Sequence, residues 1–135
     1  MFGFLKKKKT ETKAEPIAEL TAEEKEELQE QAERFSITIK ELEAIDPKQV
    51  AELAKTYEQL GLVKAQLGQM DEAIGSLEQS LDYKLTIGDG YKKLMSLYNA
   101  KRAEAARNGD DAGIDKYMGK MDDMRQIAKK VTITG

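Results

Sequence analysis

The chain has 135 residues, which suits one domain, and 35% of them are charged while only two are proline. Alanine, leucine, glutamate, lysine and glutamine dominate, a mixture that favours helices with solvated outer faces. Histidine and cysteine are absent, which excludes imidazole and thiolate catalysis, His or Cys metal ligands, and disulfides. The net charge of −3 gives no reason to expect nucleic-acid binding by the molecule as a whole. We therefore expect an all-α protein that is not an enzyme and holds no metal or cofactor.

The first residues place a short apolar tip ahead of a basic cluster, the reverse of the order in a secretory signal. The tip consists of Phe2, Phe4, Leu5, Lys6, Lys7, Lys8 and Lys9. Two interpretations stay open. The tip is a loose terminus, or it is a weak peripheral anchor whose lysines meet anionic lipid at about 1 kcal/mol each. Residues 1–20 as a whole are expected to be a disordered tail, because residues 10–16 show no apolar period.

A first helix is predicted from Thr21, because Thr21 and Glu24 form a capping box in which each side chain reaches the other's free backbone amide. Apolar residues then recur at steps of three and four until about Asp46, at Leu28, Ala32, Phe35, Ile39, Leu42 and Ile45. The opposite face is mostly acidic and is expected to be solvated.

A second helix is predicted from Asp46 to Gly68. Asp46 can cap it, and Pro47 suits the first helical position. Gly61 is small where two helices must approach closely, and Gly68 can take the positive φ that ends a helix. The buried stripe of this helix is Val50, Leu53, Ala54, Tyr57, Leu60, Gly61 and Leu67.

A third helix follows, with Asp71 as its predicted cap. Its facing stripe is Ala73, Ile74, Leu77, Ser80 and Leu81, and it extends to about Leu85. Gly88, Asp89 and Gly90 then break the chain.

This pair of helices resembles the tetratricopeptide repeat, a helical hairpin with a Leu-Gly pair in its first helix and a small residue early in its second. The matching positions are Tyr57, Leu60, Gly61, Gly68, Ala73, Leu77 and Leu81. Lys64 stands where the family usually has an aromatic residue, and Ser80 where it usually has alanine.

A second, degenerate copy appears when Gly68 is placed on Gly109, 41 residues later, an offset longer than the roughly 34 residues of the usual repeat. This offset places Tyr57 on Tyr98 and Leu77 on Met118, and it replaces Leu60-Gly61 by Lys101-Arg102. A fourth helix is predicted up to Asn108-Gly109 and a fifth up to about Lys130. The helical domain is thus expected to span residues 21–130, and residues 131–135 are expected to be a loose tail.

The resemblance implies a short right-handed solenoid of stacked antiparallel hairpins, with about five helices and the leading helix as a cap. It also implies a scaffold or adaptor that binds a peptide or helix of a partner protein on its concave face. Counting from Tyr57 and Tyr98, the concave positions would be Lys55, Glu58, Gln59, Leu62, Gln66, Ser96, Asn99, Ala103 and Arg107. The basic pattern with which some members hold a C-terminal carboxylate is absent, since Glu58 and Leu62 occupy two of its places.

Other interpretations stay open. The concave positions can equally be ordinary helix surface, and Met118, Met121 and Met124 can be core or an adaptable docking surface. The exposed end of the solenoid can pair with a second copy, or the tip can hold a scaffold at the inner face of a membrane instead of leaving it in the cytoplasm. Carboxylate chemistry at Asp110-Asp111 or Asp122-Asp123 is disfavoured, because adjacent residues on a helix point about 100° apart. Nucleic acid is disfavoured because the basic residues of the second half are interleaved with acidic ones.

Overall fold

A computed structural model describes residues 19–134 of the chain. Every regular element in that range is a helix, which confirms the predicted all-α class. The helices are α1 (Ala22–Glu43), α2 (Val50–Gln66), α3 (Met70–Tyr83), α4 (Asp89–Arg107) and α5 (Asp111–Thr134). The predicted disordered segment up to residue 18, with its Phe and Lys tip, lies outside the described residues.

Helix α1 begins with the predicted capping box. The Glu24 amide donates to the Thr21 hydroxyl and the Thr21 amide donates to the Glu24 carboxylate, each over 3.0 Å. The helix ends at Glu43, earlier than the predicted Asp46. Pro47 explains the earlier end, because a proline disfavours helical dihedrals in the residue before it.

The predicted start of α2 is wrong. Asp46 does not cap the helix, which begins at Val50 with Gln49 at the cap position and no side-chain cap bond. The Asp46-Pro47 peptide bond is cis. The Gln49 side-chain amide donates to the Pro47 carbonyl over 3.1 Å, so these residues bond one another as a turn instead of joining the helix.

The turns after α2 and after α4 are built in the same way, 41 residues apart. Gly68 has a φ of 78° and Gly109 a φ of 68°. Glycine readily adopts such positive values at the end of a helix. After α2, the Gly68 amide donates to Ala65 and the Gln69 amide to Lys64, each over 3.0 Å. After α4, the amides of Gly109 and Asp110 make the same two bonds, to the carbonyls of Ala106 and Ala105. Both turns therefore satisfy the last carbonyls of a first helix by the Schellman pattern.

The prediction for Gly61 is confirmed. A Cβ atom at Gly61 would lie 2.6 Å from Cγ and 2.7 Å from Cδ2 of Leu77, and 3.3 Å from the carbonyl oxygen of Ala73. Leu77 is fully buried, so α3 packs directly on the bare backbone of α2. Nearby, the buried Ser80 hydroxyl donates to the Ala54 carbonyl over 2.6 Å, which satisfies this polar group in the core.

Asp71 is not the cap of α3. The helix begins at Met70, two residues earlier than a cap at Asp71 would place it, and Gln69 at the cap position makes no side-chain cap bond. Asp71 instead pairs with Lys101 of α4 over 3.0 Å, and the hydrogen bond from Lys101 to Asp71 raises the pKa of the lysine. Lys101, which the 41-residue offset places on Leu60, thus joins α4 to α3.

The helices pack in chain order, and α2 also contacts α4. One buried cluster joins α1 and α2 and consists of Ala32, Ile39, Leu53, Leu60 and Val63. A second joins α3, α4 and α5 and consists of Ala73, Ile74, Leu77, Leu94, Leu97, Tyr98 and Met124. In the range that the structure covers, no helix is both long and apolar enough to cross a membrane.

Helix α5 departs from the 41-residue offset. Met118, placed on Leu77 by that offset, is 51% exposed, while Met124 is buried and Tyr117 and Met121 pack against the second cluster. The methionines are therefore core at Met121 and Met124 but surface at Met118. The helix also continues to Thr134, beyond the predicted end near Lys130, so residues 131–134 are helical where a loose tail was expected.

The close contact at Gly61 can be tested by comparing its replacement by alanine with the same replacement at Gly75 of α3. We expect Gly61→Ala to lower the free energy of unfolding by about 1–2 kcal/mol, because the overpacked methyl outweighs the gain in helix propensity. Gly75→Ala is the control, since a Cβ at Gly75 meets nothing within 4 Å, and it should raise stability by up to about 1 kcal/mol. Urea denaturation followed by circular dichroism measures both, and equal effects of the two variants would contradict the close packing.

Candidate functional site

A surface groove lies between α2 and α4. Its volume is about 630 Å³. Helix α2 contributes Leu62 and Gln66, and α4 contributes Asp89, Lys92, Lys93 and Ser96. Leu62 is half-buried, whereas Gln66 and Lys92 are exposed. An aliphatic side chain is thus surrounded by amide, hydroxyl and charged groups that reach solvent.

A carboxylate of α2 holds the first turn of α4 in place. The Gly90 amide donates to Oε2 of Glu58 over 2.8 Å. Helix α4 has Gly88 at its cap position and no cap bond from its own sequence, so Glu58 supplies the missing acceptor and puts negative charge at the positive end of the helix. A Cβ at Gly90 would lie 2.6 Å from Oε2 of Glu58. The glycine therefore lets α2 and α4 approach closely.

A smaller depression, of about 280 Å³, adjoins this contact on the side of α3. It contains Lys55 and Glu58 from α2 and Ser80, Lys84 and Thr86 from α3 and the segment after it. Among the predicted concave residues, Leu62, Gln66 and Ser96 therefore line the groove, and Lys55 and Glu58 line the adjoining depression. Glu58 is in addition a structural residue.

The remaining predicted concave residues lie outside both linings. They are Gln59, Asn99, Ala103 and Arg107. The reason is the position of α4: Gly90 lies beside Glu58, so the first turns of α4 face the second half of α2. The 41-residue offset instead makes Asn99 the position in α4 that is equivalent to Glu58 in α2. Asn99 accepts a hydrogen bond from Nε of Arg102 over 3.1 Å on the exposed surface.

Three groove residues were missing from the sequence prediction: Asp89, Lys92 and Lys93. The sequence predicts a chain break at Asp89, and the two lysines belong to the basic residues of the second half that are interleaved with acidic ones. The signal that could have found them is the spacing of Asp89, Lys92 and Ser96 at steps of three and four, which puts them on one face of a helix that begins at Asp89.

A tyrosine occupies the same position in both hairpins, where it fixes the packing. Tyr57 donates to Glu43 of α1 over 3.0 Å and stacks on Tyr83 with ring centroids 5.9 Å apart. Tyr98 donates to Glu78 of α3 and lies 6.1 Å from the Tyr117 ring. In each hairpin, the tyrosine of the first helix thus bonds a glutamate of the preceding helix and packs on a tyrosine of the second.

Burial and a hydrogen bond to a glutamate raise the pKa of both phenols. Burial and then the hydrogen bond to Glu43 raise the pKa of Tyr57 to about 12. Burial, followed by the hydrogen bond to Glu78, raises the pKa of Tyr98 well above its ordinary value. Lys120 also contacts Glu78 over 3.1 Å, so this carboxylate joins α3, α4 and α5. These tyrosines are packing groups and lie outside the groove.

In each acidic pair considered for carboxylate chemistry, the first residue makes a local bond. Asp110 accepts from the Gly113 amide over 3.0 Å at the start of α5, and Asp122 pairs with Arg125 over 2.8 Å. Across residues 19–131, no three acidic side chains come together as a metal site would require.

The contact between Glu58 and Gly90 generates a prediction. Glu58→Ala should lower the free energy of unfolding by about 1 kcal/mol, because the Gly90 amide loses its acceptor. Glu58→Gln should lose less, since its amide oxygen can still accept. Urea denaturation gives the stability, and hydrogen exchange gives the protection of the Gly90 amide. Unchanged exchange at Gly90 in Glu58→Ala would contradict the capping role.

Comparisons with known proteins give no relative for this chain. No protein-family model matches it, no curated protein matches it, and no solved structure matches it. The resemblance to tetratricopeptide repeats therefore stays a prediction.

Proposed function

We propose that this chain is a non-catalytic protein-interaction module, a scaffold or adaptor built as a short right-handed solenoid of tetratricopeptide-like hairpins. Its partner is a peptide or helix of another protein, bound in the groove between α2 and α4. The observation that carries the proposal is the groove itself, in which the half-buried Leu62 lies among polar side chains between two first helices.

The recurrence of the same contacts in both hairpins supports the repeat. The two Schellman turns at Gly68 and Gly109 and the two tyrosine positions, Tyr57 and Tyr98, occur at the same offset of 41 residues. Packing in chain order, with α2 also against α4, is what stacked hairpins require. In this arrangement, the groove lies between the first helices of successive repeats.

The chemistry of the groove supports binding over catalysis. Its walls offer an aliphatic group, an amide, a hydroxyl, two ammonium groups and one carboxylate. An apolar centre with a polar, solvated rim is the usual anatomy of a protein–protein interface. The sequence supplies neither histidine nor cysteine to this site.

Replacing Leu62 tests the proposal. We expect Leu62→Glu to reduce capture of the partner protein from the source cell by about tenfold or more, because a carboxylate would be desolvated at the centre of the interface. Quantitative mass spectrometry of affinity-purified wild-type and variant protein measures the capture, and circular dichroism checks that helical content is unchanged.

Ile37→Glu provides the matched control. Ile37 lies in α1, is 55% exposed, and lines neither depression. This variant should capture the same proteins as the wild type. If Leu62→Glu, with intact helices, also captures them in undiminished amounts, the groove is not the binding site.

A further inference from the structure

The outer face of α5 carries a charge pattern that is complementary to itself. Its residues recur at steps of four and three, so they form one stripe along the helix. This outer stripe consists of Asp111, Asp115, Met118, Asp122, Arg125 and Lys129. All of them are exposed, whereas Tyr117, Met121 and Met124 on the opposite side of α5 pack into the cluster with α3 and α4. Within the described range, no other helix covers the outer stripe.

The charges of the outer stripe are separated along the helix. The stripe begins with Asp111 and Asp115 and ends with Arg125 and Lys129. Each of these pairs places like charges four residues apart, which is unfavourable on the surface of a single helix. The helix dipole favours acidic residues near the start of a helix and basic residues near its end. It does not account for Met118 in the middle of the stripe, which is 51% exposed.

A second copy running in the opposite direction would bring opposite charges together. Asp111 and Lys129 lie nine residues on either side of Lys120, and Asp115 and Arg125 lie five residues on either side. A twofold axis across the stripe at the level of Lys120 therefore places each aspartate of one α5 beside a cation of the other. The like-charge pairs of a single copy thus become the opposite-charge pairs of a dimer.

The centre of this contact is apolar and free of unpaired like charge. Met118 of each copy lies two residues from the axis, opposite Asp122 of the other copy. Asp122 already pairs with Arg125 of its own helix over 2.8 Å, so its charge is compensated. Lys120 contacts Glu78 of α3 over 3.1 Å and is therefore turned away from the outer stripe.

We infer that two copies of this chain associate through the outer stripes of their α5 helices, antiparallel and about a twofold axis. Every contact then occurs twice, as in an isologous dimer. Because exposed ion pairs contribute little and Met118 adds the main apolar surface, the dimer is weak and sensitive to salt. The lining of the groove between α2 and α4 contains no residue of α5, so the dimer carries two open grooves. The contact itself does not depend on the proposed function.

Sedimentation velocity of the full chain tests the association. Over a series from about 1 µM to about 1 mM protein, the dimer fraction should rise with concentration. Raising the salt from about 0.01 M to about 1 M shortens the Debye length from about 30 Å to about 3 Å and should raise the dissociation constant about tenfold.

Charge reversal identifies the stripe and its pairing. Arg125→Glu with Lys129→Glu makes the whole stripe acidic and should raise the dissociation constant about tenfold or more, because like charges then meet. Asp111→Lys with Asp115→Lys makes the stripe basic and should weaken self-association to the same extent. An equimolar mixture of the two double variants should recover dimers, since an acidic stripe then meets a basic one.

Two further variants serve as controls. Lys25→Glu with Lys40→Glu makes the same change in net charge as the acidic variant, at exposed positions of α1, and should dimerise like the wild type. Met118→Ser leaves the charge unchanged and should raise the dissociation constant about fivefold through lost apolar burial. Circular dichroism checks that the helical content of every variant equals that of the wild type.

Four results would overturn the inference. The first is a wild-type chain that stays monomeric over the whole series at low salt. The second is a control variant in α1 that weakens the dimer as much as the stripe variants do, which would show general charge repulsion. The third is a dimer that neither the stripe variants nor Met118→Ser weakens, which would place the contact elsewhere. The fourth is a failure of the two stripe variants to associate with each other. None of these results alters capture of a partner at Leu62, so the proposed function is tested separately.

Discussion

The close contact between Gly61 and Leu77 is the constraint on which the arrangement of the other helices depends. Because Gly61 has no side chain, Leu77 reaches the backbone of α2 and becomes fully buried. Burial of one leucine side chain contributes about 1.5–3 kcal/mol. The contact brings α3 onto one face of α2 and leaves the other faces of α2 for α1 and α4, which also pack against it. Helix α2 is therefore central to the fold.

The groove follows from the way α4 is held against α2. Glu58 accepts from the Gly90 amide, and Gly90 has no side chain that would separate the two helices. This bond places the first turns of α4 beside Leu62 and Gln66. The groove therefore combines an aliphatic residue of α2 with polar and charged residues of α4, because of the position of α4 along α2.

The sequence predicted what is encoded locally. Apolar periodicity predicted five helices, the Thr21 and Glu24 pair predicted the start of α1, and Gly68 predicted the end of α2. Prediction from the sequence failed where contacts between residues far apart in the chain determine the structure. Nothing near Asp89 in the sequence shows that Glu58, 32 residues before Gly90, caps α4. For this reason Asp89, Lys92 and Lys93 were not predicted as groove residues. The 41-residue offset likewise places Met118 on the buried Leu77, but Met118 is exposed. Tyr117 and Met124 are the residues through which α5 packs on the cluster it shares with α4.

A double-mutant cycle of Gly61→Ala with Leu77→Ala tests the central contact most directly. Leu77→Ala removes Cγ and Cδ2, the atoms that a Cβ at Gly61 would meet at 2.6 and 2.7 Å. In the wild-type background, Gly61→Ala should therefore be destabilising, and in the Leu77→Ala background it should be neutral or stabilising, with a coupling free energy of about 1 kcal/mol or more. Urea denaturation of the four proteins gives this coupling. The same cost of Gly61→Ala in both backgrounds would show that the bare backbone at Gly61 does not position α3.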